Sequence, residues 1–161
     1  MNSFYVLSKG EVDTSGVAAV VASYLRPGDV VVLAGTLACG KTHFVKALAS
    51  ALGSSDLVTS PTYAIVHTYN TKIGDLLHVD VYRLSGIREF RDLGLDEFLE
   101  ESITVIEWGD KVRSEFDSYL DIAFDLAGSA PDHRGLTFSG VGGRWIEVIS
   151  SLKSELDGQK R

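Results

Sequence analysis

The sequence predicts an α/β layered fold with a mainly parallel central sheet and one antiparallel hairpin. Three observations carry that prediction. Short apolar runs of strand length alternate with longer segments whose apolar residues recur at helical spacing. One such run, Asp29-Val30-Val31-Val32-Leu33-Ala34, leads straight into a glycine-bearing loop and then a helical pattern. Two further runs, Tyr63–His67 and Leu76–Tyr82, are joined through Asn70 to Gly74, a connection too short for a crossover helix. A chain of 161 residues, 45% hydrophobic and 23% charged, fits a single globular domain over residues 1–161.

The elements follow in order. Phe4 to Leu7 reads as a short strand. Asp13-Thr14-Ser15 supplies helix-start residues for a helix running from Val17 to Leu25. Arg26-Pro27-Gly28-Asp29 turns the chain into the strand ending at Ala34. After the loop, Phe44, Val45, Leu48, Ala51 and Leu52 mark a helix that Gly53 closes. The hairpin comes next. Arg83 to Glu101 is polar with Leu and Phe at helical spacing, broken at Gly86 and Gly94 into short helices. Ile103–Glu107 is an apolar strand ending in an acid, and Tyr119–Leu126 alternates with period two. Its Asp121 and Asp125 share one face, read here as solvated. Leu136–Phe138 reads as a further strand, and Trp145–Ile149 as a terminal strand or helix.

The loop itself carries chemistry. Gly35-Thr36-Leu37-Ala38-Cys39-Gly40-Lys41-Thr42 fits G-x-x-x-x-G-K-[S/T], and it lies between a strand and a helix. Successive N–H groups of such a loop, with the helix N-terminus, make a positive pocket for phosphate oxygens. The Lys41 ammonium is placed to reach β- and γ-phosphates, and the Thr42 hydroxyl to ligate Mg²⁺. The fold is therefore expected to be of the P-loop NTPase type. Every loop residue from Gly35 to Thr42 (Gly35, Thr36, Leu37, Ala38, Cys39, Gly40, Lys41 and Thr42), with His43 after them, is a candidate nucleotide contact.

Composition narrows the rest. Net charge is −7 and there is no Lys/Arg-rich tract, so direct binding of tRNA or DNA is not expected. No apolar run approaches the roughly 18–20 residues of a membrane span. Met1–Tyr5 has neither the basic start nor the apolar core of a signal peptide, which makes the expected location cytoplasmic. The one cysteine, Cys39, excludes an internal disulfide or a cysteine-based zinc site. Its place beside Lys41 predicts a thiol lying against bound phosphate. His43, His67, His78 and His133 show no metal-ligand spacing and read as ordinary surface or core residues.

Phosphoanhydride hydrolysis needs a further Mg²⁺ ligand and a group to orient the attacking water. In an open α/β sheet both sit at the carboxyl ends of strands. Asp80, after Leu77-His78-Val79, and Glu107, after Ile103–Ile106, meet that condition. Lys41, Asp80 and Glu107 are thus the candidate catalytic residues, and Thr42, Asp80 and Glu107 the candidate metal ligands.

The loop, Ser60-Pro61-Thr62-Tyr63, His78-Val79-Asp80-Val81-Tyr82-Arg83-Leu84, Leu93–Phe98 and Ile106-Glu107-Trp108 occur in series over about residues 11 to 110. Taken together they resemble the TsaE (YjeE) family, the ATPase component of bacterial tRNA threonylcarbamoyladenosine modification. The resemblance implies a Mg-dependent ATPase that acts with the TsaB–TsaD heterodimer, meets tRNA only through it and resets it between turnovers. It also implies that Thr62 senses the γ-phosphate, that Trp108 lies near the nucleotide and that Thr14 lies near the adenine. The family's loop is Gly-Asp-Leu-Gly-Ala-Gly-Lys-Thr, so Thr36, Ala38 and Cys39 depart from it. Alanine in place of that glycine costs about 1–2 kcal/mol wherever positive φ is required.

Two other classes compete. A small-molecule kinase would use arginines such as Arg83, Arg88 and Arg91 on a lid. A non-hydrolysing nucleotide sensor would have less use for two strand-end acids. A GTPase is disfavoured by the lack of an Asn-Lys-x-Asp sequence.

Overall fold

A computed structural model describes residues 2–36, 39–61, 65–128 and 130–160. In chain order the elements are β1 (Ser3–Ser8), α1 (Glu11–Tyr24), β2 (Val30–Ala34), α2 (Lys41–Ala51), β3 (Val66–Thr71), β4 (Gly74–Asp80), α3 (Ile87–Asp92), α4 (Asp96–Leu99), β5 (Ile103–Glu107), β6 (Tyr119–Leu126), β7 (Arg134–Val141) and α5 (Trp145–Gly158). Two 3₁₀ turns, Gly109–Lys111 and Arg113–Glu115, bridge β5 and β6.

All seven strands form one sheet in the order β1-β7-β6-β2-β5-β4-β3. The centre is parallel, β2 pairing with both β5 and β6, and β4 with β5. The margins are antiparallel: β3 with β4, β6 with β7, and β1 with β7. Strand β2 is buried along its whole length, which is why it reads as a continuous apolar run rather than an alternating one. Period two still divides its side chains. Val31 and Leu33 join the helix-side core with Val21, Phe44, Leu48 and Ile149. Val30 and Val32 join the opposite core with Val79, Ile106, Leu84 and Phe90.

Several boundaries differ from the sequence reading, each for a local reason. Helix α1 begins at Glu11, because the Asp13 carboxylate lies inside the first turn and accepts the Lys9 N–H at 2.9 Å. Strand β4 stops at Asp80, whose Oδ1 accepts the Tyr82 N–H at 2.8 Å and turns the chain. The hairpin's first strand is described from Val66, since Ile65 sits at φ 69° and cannot continue a pleat. Tyr63 and Ala64 lie outside the described residues. The chain's last element is a helix of 14 residues, and the strand before it extends from Arg134 to Val141. Asp121 is not on an open face: it is mostly covered and pairs with Arg113 at 3.1 Å, whereas Asp125 is exposed. Burial, opposed by Arg113, pushes the Asp121 carboxyl above its ordinary range. Among the described residues, no helix is long and apolar enough to cross a membrane.

Candidate nucleotide site at the strand ends

The parallel centre of the sheet assembles the site. Register places Leu33 of β2 beside Glu107 of β5, and Glu107 beside Asp80 of β4. Both acids therefore emerge next to the loop that leaves β2, at the carboxyl ends of the strands. Glycine is needed on the loop for packing as well as for conformation. A Cβ on Gly35, at φ 137°, would lie 2.6 Å from the Phe124 carbonyl oxygen. Gly40 has φ 102° and immediately precedes α2.

Thr42, in the first turn of α2, donates its hydroxyl to Glu107, with Oγ1 3.0 Å from Oε1 and 3.2 Å from Oε2. Glu107 is 3% exposed and Asp80 4%, so both carboxylates sit in a largely dry setting. The Lys41 ammonium donates to the carbonyls of Gly35 at 2.8 Å and Thr36 at 2.9 Å. It also lies 4.0 Å from the centroid of the Trp108 ring. Trp108 reaches it because its backbone has φ 61°, which turns the chain sharply after β5. Tyr82 packs on Trp108 with ring centroids 4.8 Å apart.

Thr14 is buried and shares a 2.6 Å hydrogen bond with Ser8 Oγ. It borders a cavity of about 350 Å³ with Gly10, Glu11, Gly40, His43, Asp132 and Arg134. His43 Nε2 lies 3.1 Å from Ser15 Oγ and 3.2 Å from the Glu11 carbonyl, which ties the start of α2 to α1. Thr36 is exposed at the loop's mouth. Leu37, Ala38 and Thr62 lie outside the described residues.

Cys39 departs from expectation. Its side chain is 1% exposed and belongs to the helix-side core, with Sγ 3.5 Å from Lys41 Nζ. The thiol is enclosed rather than open to the space above the loop: a Cβ on Gly35 would lie 2.9 Å from its Sγ. Its carbonyl accepts the Arg134 Nε–H at 3.2 Å, bracing the loop from β7.

The donor set fits a hard dication. Thr42, Asp80 and Glu107 offer only oxygens, one hydroxyl and two carboxylates, as Mg²⁺ prefers. Among the described residues, no three His, Cys, Asp or Glu converge on one point.

Sequence reasoning missed two participants. His78 is fully buried and its Nε2 lies 2.5 Å from Glu107 Oε2, so it is a core histidine joined to the site. Its signal was its place two residues before Asp80, on the same strand face. Arg134 had no local signal, since it reaches the loop from 95 positions away. Of the lid arginines a kinase reading would use, Arg91 is engaged with Glu115 through two 2.8 Å hydrogen bonds.

Residues 8–134 match the family model of TsaE, described as the threonylcarbamoyl adenosine biosynthesis protein. This chain belongs to the TsaE family. The match runs well past residue 110, taking in β6 and reaching Arg134. The tRNA threonylcarbamoyladenosine biosynthesis protein TsaE of Bacillus subtilis is 38% identical over 142 residues, 87% of each chain. Its namesake from Treponema pallidum is 40% identical, covering 81% of this chain and 96% of that one. The Streptomyces coelicolor protein of the same name is 42% identical, covering 82% and 93%. The crystal structure of Bacillus subtilis YdiB superposes with a TM-score of 0.79 at 30% identity, over 99% of this chain and 97% of that one. As a TsaE-family member the chain is placed in tRNA threonylcarbamoyladenosine biosynthesis, and the YdiB superposition extends the shared fold through α5.

Proposed function

We propose that this TsaE-family protein binds Mg-ATP at the loop Gly35–Thr42, hydrolyses it slowly alone, and so resets a TsaB–TsaD pair between rounds of tRNA modification. The observation that carries the reading is the Thr42–Glu107 contact at 3.0 Å, which joins a phosphate-loop hydroxyl to a buried strand-end acid.

Loop N–H groups and the start of α2 attract the β- and γ-phosphates. Lys41, now on two loop carbonyls, exchanges them for phosphate oxygens, each charge-assisted bond contributing about 1.5–3 kcal/mol. Thr42, Asp80 and Glu107 would hold the Mg²⁺, which when bound would supply charge neutralisation on the transferred phosphoryl. Glu107 also takes the proton of the attacking water as the new P–O bond forms and the bond to ADP breaks. The cavity beside Thr14 and Arg134 accommodates the adenine end. Trp108, with Tyr82 packed on it, would border the phosphate side.

The acidic chain, −7 overall, has no basic footprint for tRNA, so contact with RNA goes through the partner pair, in the cytoplasm. The test is phosphate release from ATP with and without the TsaB–TsaD pair. Release that depends on Mg²⁺ and rises with the pair supports the reading. A phosphorylated small molecule in place of free phosphate would indicate a kinase. Tight, salt-sensitive binding of free tRNA would overturn the partner-mediated picture.

A further inference from the structure

A buried hydrogen-bonded chain leaves the site on the side away from the loop. His78 Nε2 holds Glu107 Oε2 at 2.5 Å, and His78 Nδ1 lies 3.3 Å from the Tyr69 hydroxyl. That hydroxyl lies 3.1 Å from the Thr59 carbonyl and 3.2 Å from His67 Nδ1, and it accepts the Thr59 N–H at 3.3 Å. His78 is fully buried and Tyr69 is 4% exposed, while Thr59 is at the surface on the connection between α2 and β3.

The geometry orders the chain. His78 Nε2 bonds Glu107 and its Nδ1 lies within reach of the Tyr69 hydroxyl, so the ring is held from both sides. Burial, the largest cause, pushes the Tyr69 phenol above its ordinary range and keeps its proton in place. One hydroxyl proton cannot serve both His78 Nδ1 and the Thr59 carbonyl. When Tyr69 donates to His78, the Thr59 carbonyl passes to His67 Nδ1, 3.3 Å away.

We propose that His78 is a positioning residue for Glu107, with Tyr69, anchored on the Thr59 backbone, as its outer brace. The proposal rests on the ATPase reading above. Carboxylate rotation away from Thr42 is what the brace prevents, so its loss should lower turnover and spare nucleotide affinity.

The experiment measures kcat, KM and Mg-ATP affinity for Tyr69→Phe, His78→Phe and His78→Gln, with Glu107→Gln as reference. Tyr69→Phe should lower kcat about fivefold and His78→Phe about thirtyfold, with KM and affinity changed less than threefold. His78→Gln restores a donor near the Nε2 position and should recover to within about fivefold of the parent. If Tyr69→Phe and His78→Phe turn over within twofold of the parent while Glu107→Gln is inactive, the relay fails and the ATPase reading stands. If Glu107→Gln also retains turnover, the failure belongs to the ATPase reading. Should His78→Phe not fold, Tyr69→Phe and His78→Gln decide the matter. A lowered melting temperature with unchanged kcat in Tyr69→Phe would mean the chain is a structural network only, which overturns the proposal.

Discussion

Thr42 and Glu107 are 65 positions apart in sequence, yet the Thr42 hydroxyl rests 3.0 and 3.2 Å from the two oxygens of the Glu107 carboxylate. Parallel pairing of β2 with β5 brings them together, because it sets the end of one strand beside the loop that leaves the other. The pair decides what the site can do. A phosphate loop alone binds; a phosphate loop against a buried acid has a group that can ligate metal and take a proton.

Glu107→Gln should therefore keep Mg-ATP binding within a few-fold and lose most turnover, at least tenfold. The amide is neutral and a poor base, while its shape preserves the contacts to Thr42 and His78. Calorimetry and phosphate release check the two halves separately. Turnover retained within twofold would reduce Glu107 to a strand-end acid.

Lys41→Ala should weaken Mg-ATP binding by a hundredfold or more. Two charge-assisted hydrogen bonds of about 1.5–3 kcal/mol each are lost together. The fold should persist, since among the described residues the Lys41 ammonium hydrogen-bonds the Gly35 and Thr36 carbonyls and Cys39 Sγ, all on its own loop, and otherwise faces the Trp108 ring. Unchanged affinity by calorimetry would refute the assignment, and circular dichroism checks the fold.

Trp108 offers an optical readout. Lys41 Nζ lies 4.0 Å from its ring, so drawing that ammonium onto phosphate should change the indole's fluorescence. The second tryptophan, Trp145, is 1% exposed at the start of α5 and should stay silent. A Trp145→Phe protein isolates the signal. No change on saturation with Mg-ATP would place Trp108 away from the nucleotide.

Asp29 gives a pH-dependent test of stability. Its Oδ2 accepts the Arg26 N–H at 2.9 Å and Arg144 Nη1 at 2.8 Å. Burial still dominates and raises the carboxyl above its ordinary range. An acid whose folded-state pKa is raised costs stability above that pKa, and the cost is relieved as pH falls through it. Arg144→Met removes a partner that opposes the shift, so it should destabilise by about 1–3 kcal/mol at pH 7 and by less near pH 5. Urea unfolding at the two pH values measures the difference. A loss that grows on acidification would invert the sign and discard the account.

Much of this was written in local pattern. The β2–loop–α2 unit was legible because its chemistry is contiguous: a fully buried strand, a glycine loop and a helix closed by Gly53 at φ 86°. The acids Asp80 and Glu107 were legible because each ends an apolar strand. What local pattern could not supply was pairing across the sheet. Only the register of β4 with β5 makes those acids neighbours, and only β7 brings Arg134 to the loop. The burial of Cys39 in the helix-side core depends on tertiary packing, which no property of cysteine encodes. His78 carried no ligand spacing, because its partner lies on the adjacent strand rather than along its own. Sequence by itself determined where the loop, the helix start and the strand-end acids lie, since each is local. The tertiary structure decided which of them touch, because hydrogen bonds between strands and burial join residues that the chain keeps far apart.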